Sequence, residues 1–216
     1  MKKLTWMTAM RDDAGNLVSS LELAWSQLKN RDMKDIARRS SALMTDEGLH
    51  LGFFDKDYQI IIEDERVIAL GGNAPNPFFE AIILHYLVNA KDIEPTGKMI
   101  SFRNLEGGNF YFSAFHKRTI APMIDRFGNS SQELLNAGEL MKGVRIDMGD
   151  AAVMIKIFPR LFVTIVLWEG DDELMSSVNV LFDSTAGYHL PTEDMAALGS
   201  ILASNLIRNA DILSKD

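Results

Sequence analysis

Four apolar runs follow one another between Val144 and Phe182, and the first three are separated by breaks too short to hold a crossover. Val144–Asp147, Ala152–Phe158 and Leu161–Trp168 are divided by Gly149-Asp150 and by Pro159-Arg160. Runs this rich in Val, Ile, Leu and Phe read as strands, and the Gly, Pro and Asp between them read as turns. A parallel partner needs a connection of about a dozen residues or more, so these neighbours must pair antiparallel. A fourth run, Val178–Phe182, follows the acidic loop Glu169-Gly170-Asp171-Asp172-Glu173.

Helical spacing brackets this block. Thr192 to Leu213 reads as a long C-terminal helix with Met195, Leu198, Ile201, Leu202 and Leu206 on one stripe, and Gly199 and Ala203 on an adjacent face imply close packing. Leu17, Leu21, Ala24, Trp25 and Leu28 predict an amphipathic first helix behind Asn16 as its N-cap, and Met33–Arg39 a short second one. Leu49–Phe54 and Tyr58–Ile62 then read as a hairpin turning on Asp55-Lys56-Asp57, with Val67–Leu70 as a third strand closed by Gly71-Gly72-Asn73. Asn76-Pro77 opens a helix that is apolar on nearly every face and so should be buried. His85, on that helix, reads as a core histidine bonded to a backbone carbonyl. Ser101-Phe102-Arg103 and Phe110-Tyr111-Phe112 look extended about a Gly107-Gly108 turn. His116–Phe127, with Pro122 early or at a kink, and Ser131–Met141 look helical. Strands and helices come in runs, which predicts an α+β fold with antiparallel sheets packed against several helices. The 216 residues fit a single domain over 1–216, or one with an N-terminal helix-and-hairpin lobe and a C-terminal sheet-and-helix lobe.

Composition removes several chemistries. The chain has no cysteine, so it offers no thiolate nucleophile, no Cys-ligated zinc and no Cys-held cluster of its own. Thirty acidic residues against 22 basic ones disfavour nucleic-acid binding, which depends on Lys and Arg neutralising phosphates. No uncharged apolar run reaches the roughly 18 residues of a membrane span, and the apolar stretch after Lys2-Lys3 is too short and polar for a signal peptide. A soluble, cytoplasmic protein without a membrane or nucleic-acid partner is the expectation.

Four polar groupings remain. Ser101, Arg103, Gly107 and Gly108, with His116-Lys117-Arg118 beyond, could present backbone N–H groups and an Arg fork to an anion, although the spacing of a P-loop is absent. The ordinary alternative is a turn with a solvated basic helix start. Asp171, Asp172 and Glu173 could offer oxygens to a hard cation, or simply be solvated in a loop. In His189-Leu190-Pro191-Thr192-Glu193-Asp194, Thr192 suits a helix cap, and Glu193 and Asp194 suit the positive end of the helix dipole. His189 is not explained by those roles; it could face a cleft, or equally be packed away as part of the fold. Asp147-Met148-Gly149-Asp150 is explained as a turn.

Ile100-Ser101-Phe102-Arg103, Leu105, Gly107-Gly108, Phe110-Tyr111-Phe112, Phe115-His116-Lys117-Arg118 and Pro122 together resemble the central signature of the domain of unknown function 3786 family. Leu84-His85-Tyr86-Leu87 and Asp147-Met148-Gly149-Asp150-Ala151 match on either side. So do Leu167 to Glu173, Leu181-Phe182-Asp183 and His189 to Asp194. The likeness runs from about Leu21 to Ile207 and is specific as an ordered set. The resemblance implies an origin mainly among anaerobic bacteria and archaea, with relatives that carry iron–sulfur domains or lie near corrinoid metabolism. It implies no agreed activity, and without cysteine any cluster must come from a redox or corrinoid-type partner.

The resulting expectation is an accessory or ligand-binding domain for an anionic or cofactor-like ligand, with Ser101, Arg103, Gly107, Gly108, His116, Arg118, His189 and Asp194 around one pocket. The alternatives are a metal- or His-dependent hydrolase or transferase using His116 or His189 with Asp171 or Asp194, and a protein-interaction module using exposed methionines such as Met7, Met10 and Met175.

Overall fold

The computed structural model describes residues 14–72 and 74–215, so Met7 and Met10 lie outside the described residues. The chain divides into two compact units, Met1–Asp92 and Ile93–Asp216. The architecture is α+β, with one antiparallel sheet in each unit.

In the first unit, α1 (Ala14–Lys29) already includes Asn16, which therefore lies within the helix rather than at its cap. It buries Ala24, Trp25 and Leu28 and packs on α3 (Pro77–Asn89). Between them, α2 (Met33–Ser40) starts where the Asp32 carboxylate accepts the Asp35 N–H at 3.0 Å. The sheet is a meander of β1 (Leu43–Thr45), β2 (Gly48–Phe53), β3 (Lys56–Ile61) and β4 (Arg66–Ala69). Phe53 lies opposite Lys56, so the hairpin turns on Phe54-Asp55 alone and Lys56 and Asp57 belong to β3. Two-residue turns with a positive φ match the twist of the strands they join, and Phe54 supplies that angle at 55°. The Asn76 side chain accepts the Phe79 N–H at 2.9 Å and Pro77 follows in the first turn, as the sequence predicts. Buried residues then occupy every face of α3. Among them, Tyr86 donates its hydroxyl to the Ser40 carbonyl at 2.9 Å. His85 is half-buried, with Nε2 2.7 Å from the Ser20 hydroxyl.

The second unit is built on a five-stranded antiparallel sheet. Its strands are β5 (Met99–Ser101), β6 (Val144–Arg145), β7 (Ala151–Phe158), β8 (Leu161–Trp168) and β9 (Ser177–Asp183), in the spatial order β5-β9-β8-β7-β6. Across β7, β8 and β9 the register aligns Ala151 with Leu167 and Val178, Val153 with Ile165 and Val180, and Ile155 with Val163 and Phe182. All nine are buried, so alternate residues of three strands make one continuous core face. The helix α6 (Ser131–Glu139) packs on β7. The stripe expected of α7 (Thr192–Leu213) is buried from Met195 to Leu206.

One expectation is overturned here. Phe110-Tyr111-Phe112 is not extended but lies in a helix, α4 (Gly108–Phe115), which continues through a π-helical turn, His116–Ile120, into α5 (Ala121–Phe127). Aromatic residues favour strands only weakly, and packing decides. Phe115 stacks on Phe102 with centroids 4.0 Å apart and planes 7° apart, and both rings meet Phe182 of β9. Pro122 has no N–H to offer the preceding turn, and the wide π turn sits directly before it. Likewise Phe102 and Arg103 leave the sheet after Ser101 and form a 3-10 turn, Phe102–Asn104.

Candidate functional site: an acidic, tyrosine-lined groove

Two of the segments singled out in the sequence meet in the second unit. The chain leaving β5 runs through Asn104, Leu105 and Glu106 into α4, while the chain leaving β9 runs through Ser184 and a 3-10 turn, Ala186–Tyr188, into α7. Thr192 ties them together by donating its hydroxyl to the Glu106 carbonyl at 2.7 Å. Between them lies an open groove of about 510 Å³, within the size range of small-molecule sites. Ile100, Leu105, Leu190 and Pro191 supply its apolar wall. Tyr111 and Tyr188 add aromatic residues, and the polar lining residues are Asn104, Ser184, Thr192, Glu106 and Glu193. Among the described residues, no lysine, arginine or histidine lines it.

The groove owes its shape to local sterics. Gly107 caps α4 in the left-handed region (φ 69°), which glycine adopts at little cost. A Cβ at Gly108 would collide with the Phe102 carbonyl oxygen, so the helix starts pressed against the 3-10 turn. The Ser101 hydroxyl and N–H both reach the Asn104 side-chain oxygen, at 2.7 and 3.2 Å, and hold that turn closed.

None of the eight residues expected around one pocket lines the groove: Ser101, Gly107 and Gly108 shape its edge in sequence, and Arg103, His116, Arg118, His189 and Asp194 lie outside its lining. Arg103 is exposed beside it, its guanidinium 3.5 Å above the Phe112 ring and its Nη1 3.3 Å from the Asn109 side-chain oxygen. His116 is next to Phe112, with ring centroids 6.0 Å apart, and is exposed, as are Lys117 and Arg118. Asp194 is half-buried in the first turn of α7. Thr192 is not the cap it was expected to be. Pro191 occupies that position, and the Thr192 hydroxyl is spent on Glu106 instead. Tyr111, Tyr188, Glu106 and Glu193 carry the groove's chemistry, yet the sequence reading gave none of them a binding role. The signal available was their position, each beside or within a motif already noted.

His189 turns inward and is fully buried, not facing a cleft. Burial is the main cause that brings its pKa from 6.5 down to about 4, and the nearby positive charge of Arg160 adds to it. Asp183, Glu94 and a bond with the Ile93 backbone act in the opposite direction. The guanidinium of Arg160, itself buried, bonds Glu94 at 2.6 Å. Burial pushes the Asp183 carboxyl up, but bonds from Thr185, Thr96 and Gly97 outweigh it and leave the carboxyl below its ordinary range. His189 therefore belongs to a buried polar cluster that anchors the end of β9.

The acidic loop also has structural duties. Glu169 accepts the N–H of Ser131 at the start of α6. Asp171 accepts those of Glu173 and Leu174 at 2.8 and 2.7 Å, bonds that hold its carboxyl below the usual range. Asp172 and Glu173 are exposed. Among the described residues, no three His, Asp or Glu side chains are grouped as a metal-ligand set, and no helix is long and apolar enough to cross a membrane.

A family model described as "Domain of unknown function (DUF3786)" matches residues 32–205. No curated protein and no solved structure matches the chain. The family match spans most of the chain, including every residue that lines the groove. The chain belongs to the domain of unknown function 3786 family.

Proposed function

We propose that the unit formed by residues 93–216 is a binding module for a small organic cation, an amine or guanidinium group, taken up in the groove. The observation that carries this reading is the lining itself: two tyrosines and two glutamates, with no basic residue among the described residues that line it. A cation over an aromatic face gains about 0.5–2 kcal/mol according to its desolvation, and a carboxylate adds a charge-assisted hydrogen bond. The anionic ligand favoured by the sequence fits the groove poorly, since Glu106 and Glu193 would repel it and Arg103 and His116 stand outside. Catalysis by His189 fits poorly too, because a general base must reach the proton it removes and His189 is buried. A redox or corrinoid-type partner and an anaerobic setting rest on the resemblance alone and form no part of the proposal.

The test is a thermal-shift and calorimetric comparison of spermidine, lysine methyl ester and tetramethylammonium with acetate, phosphate and citrate. Saturable stabilisation by the amines and none by the anions is the expected result. Stabilisation by the anions alone would overturn the reading.

A further inference from the structure

A second surface of the same unit is independent of the groove's lining and opposite in charge. Phe110, Ser113, Ala114 and Lys117 recur at the spacing that puts residues on one side of a helix, and all four are exposed. Phe110 is 84% exposed, more than any other aromatic residue among the described residues with large exposed apolar side chains. His116 and Arg118 flank Lys117 on the next turn, and Arg103 stands at the edge of the face against Asn109 and Phe112, all of them exposed. None of the four has an ion pair among the described residues, a state shared with scattered cations such as Arg66 and Arg208 but gathered here on one short stretch, whereas Arg38, Arg39, Arg126, Arg145 and Arg160 are each bonded to a carboxylate. Glu106 lies between Arg103 and the other cations and Asp125 follows them, and neither forms an ion pair with any of them among the described residues. On a chain of net charge −8, a face that keeps its cations uncompensated stands out. Arg103 is also held in place before any partner arrives, stacked on Phe112 and bonded to Asn109.

We infer that the exposed face of α4 and the π turn docks a short acidic segment of a partner protein, carrying an aromatic or aliphatic side chain that covers Phe110. Charge complementarity selects the partner. The basic residues cover a few helical turns, and charges beyond about 8–10 Å are screened at physiological salt, so a segment with a few carboxylates senses the local cations more than the acidic remainder. A nucleic-acid duplex carries a phosphate charge about every 1.7 Å and would extend past the few clustered cations onto the rest of a chain of net charge −8. Small side chains at Ser113 and Ala114 leave the middle of the face open to close approach between Phe110 and the cations.

The experiment is fluorescence anisotropy of the full chain with a labelled peptide in which glutamates flank a single phenylalanine, at low and high salt. The charge-reversal variant Arg103→Glu/Lys117→Glu/Arg118→Glu and the variant Phe110→Ala are titrated beside it. All four positions are exposed, so both variants should keep the parent's thermal midpoint. Saturable, salt-sensitive binding is expected, weakened about tenfold or more by charge reversal and about threefold by Phe110→Ala. Absence of saturable binding, or equal binding by the charge-reversed chain, overturns the inference. Tighter binding of a single-stranded oligonucleotide of equal charge overturns it as well, assigning the face to nucleic acid.

Discussion

Thr192 and Glu106 are 86 residues apart, yet the hydroxyl of one bonds the backbone carbonyl of the other at 2.7 Å, and this contact joins the two walls of the groove. Thr192→Val removes the bond with little change in shape. An exposed hydrogen bond of this kind contributes about 0.5–1.5 kcal/mol. The expected result is a stability loss at or below that range by urea denaturation, together with weaker amine binding. Thr192→Ser, which keeps the hydroxyl, should restore both.

Gly199 offers a sharper test of packing, because two effects compete. Replacing a mid-helix glycine by alanine ordinarily gains about 1 kcal/mol. Here the added Cβ would collide with the Phe115 ring and come within 2.8 Å of the Thr119 hydroxyl. Overpacking of this sort costs about 1–3 kcal/mol. Gly199→Ala should therefore destabilise the second unit in chemical denaturation. A gain in stability would show that α7 and the π turn are less closely packed than described.

Thr119 itself is buried in the π turn, and its hydroxyl has no hydrogen-bond partner among the described residues. Replacing a buried, unsatisfied hydroxyl by a methyl group removes a desolvation cost of about 1–3 kcal/mol. Thr119→Val is expected to be neutral or stabilising in the same assay, the reverse of the usual result for a core substitution.

The strands of the second unit are legible in the sequence because their signals are local. Apolar runs of seven or eight residues such as Ala152–Phe158 and Leu161–Trp168, separated by Pro159-Arg160, leave no alternative to an antiparallel pair. The same holds for α7, a 22-residue helix whose stripe repeats from Met195 to Leu206. Phe110-Tyr111-Phe112 is not legible in that way. Its aromatic composition suits a strand, and the helix depends on Phe115 finding Phe102 and Phe182, which is a tertiary fact. The groove follows the same rule. The motifs that border it stand out one by one, but Tyr111 and Tyr188 become partners only when distant segments meet, and nothing in the spacing of either announces the other. His189 drew notice as a histidine in a loop, whereas its burial follows from the polar cluster of Arg160 and Asp183.

That cluster predicts a pH dependence with a definite sign. The folded-state pKa of His189, about 4, lies below the ordinary 6.5, so the unfolded chain binds the proton more readily. Stability from this source is complete above pH 6.5 or so and falls as the pH drops from there toward 4. The full shift corresponds to roughly 3 kcal/mol as an upper bound. Asp183, whose carboxyl is held below its ordinary range, adds a further loss at lower pH as it protonates. Denaturation midpoints measured between pH 7.5 and 4 should decline in the parent. His189→Gln, less stable at neutral pH, should be markedly flatter across that window.

The most direct measurement is calorimetric titration of an amine into the parent and into two groove variants, Tyr188→Ala and Glu106→Gln/Glu193→Gln, all of them exposed positions. Saturable binding of spermidine to the parent is predicted, weakened about tenfold or more in both variants while their thermal midpoints stay close to the parent's. Binding of equal strength in parent and variants would place the amine elsewhere and contradict the account of the groove.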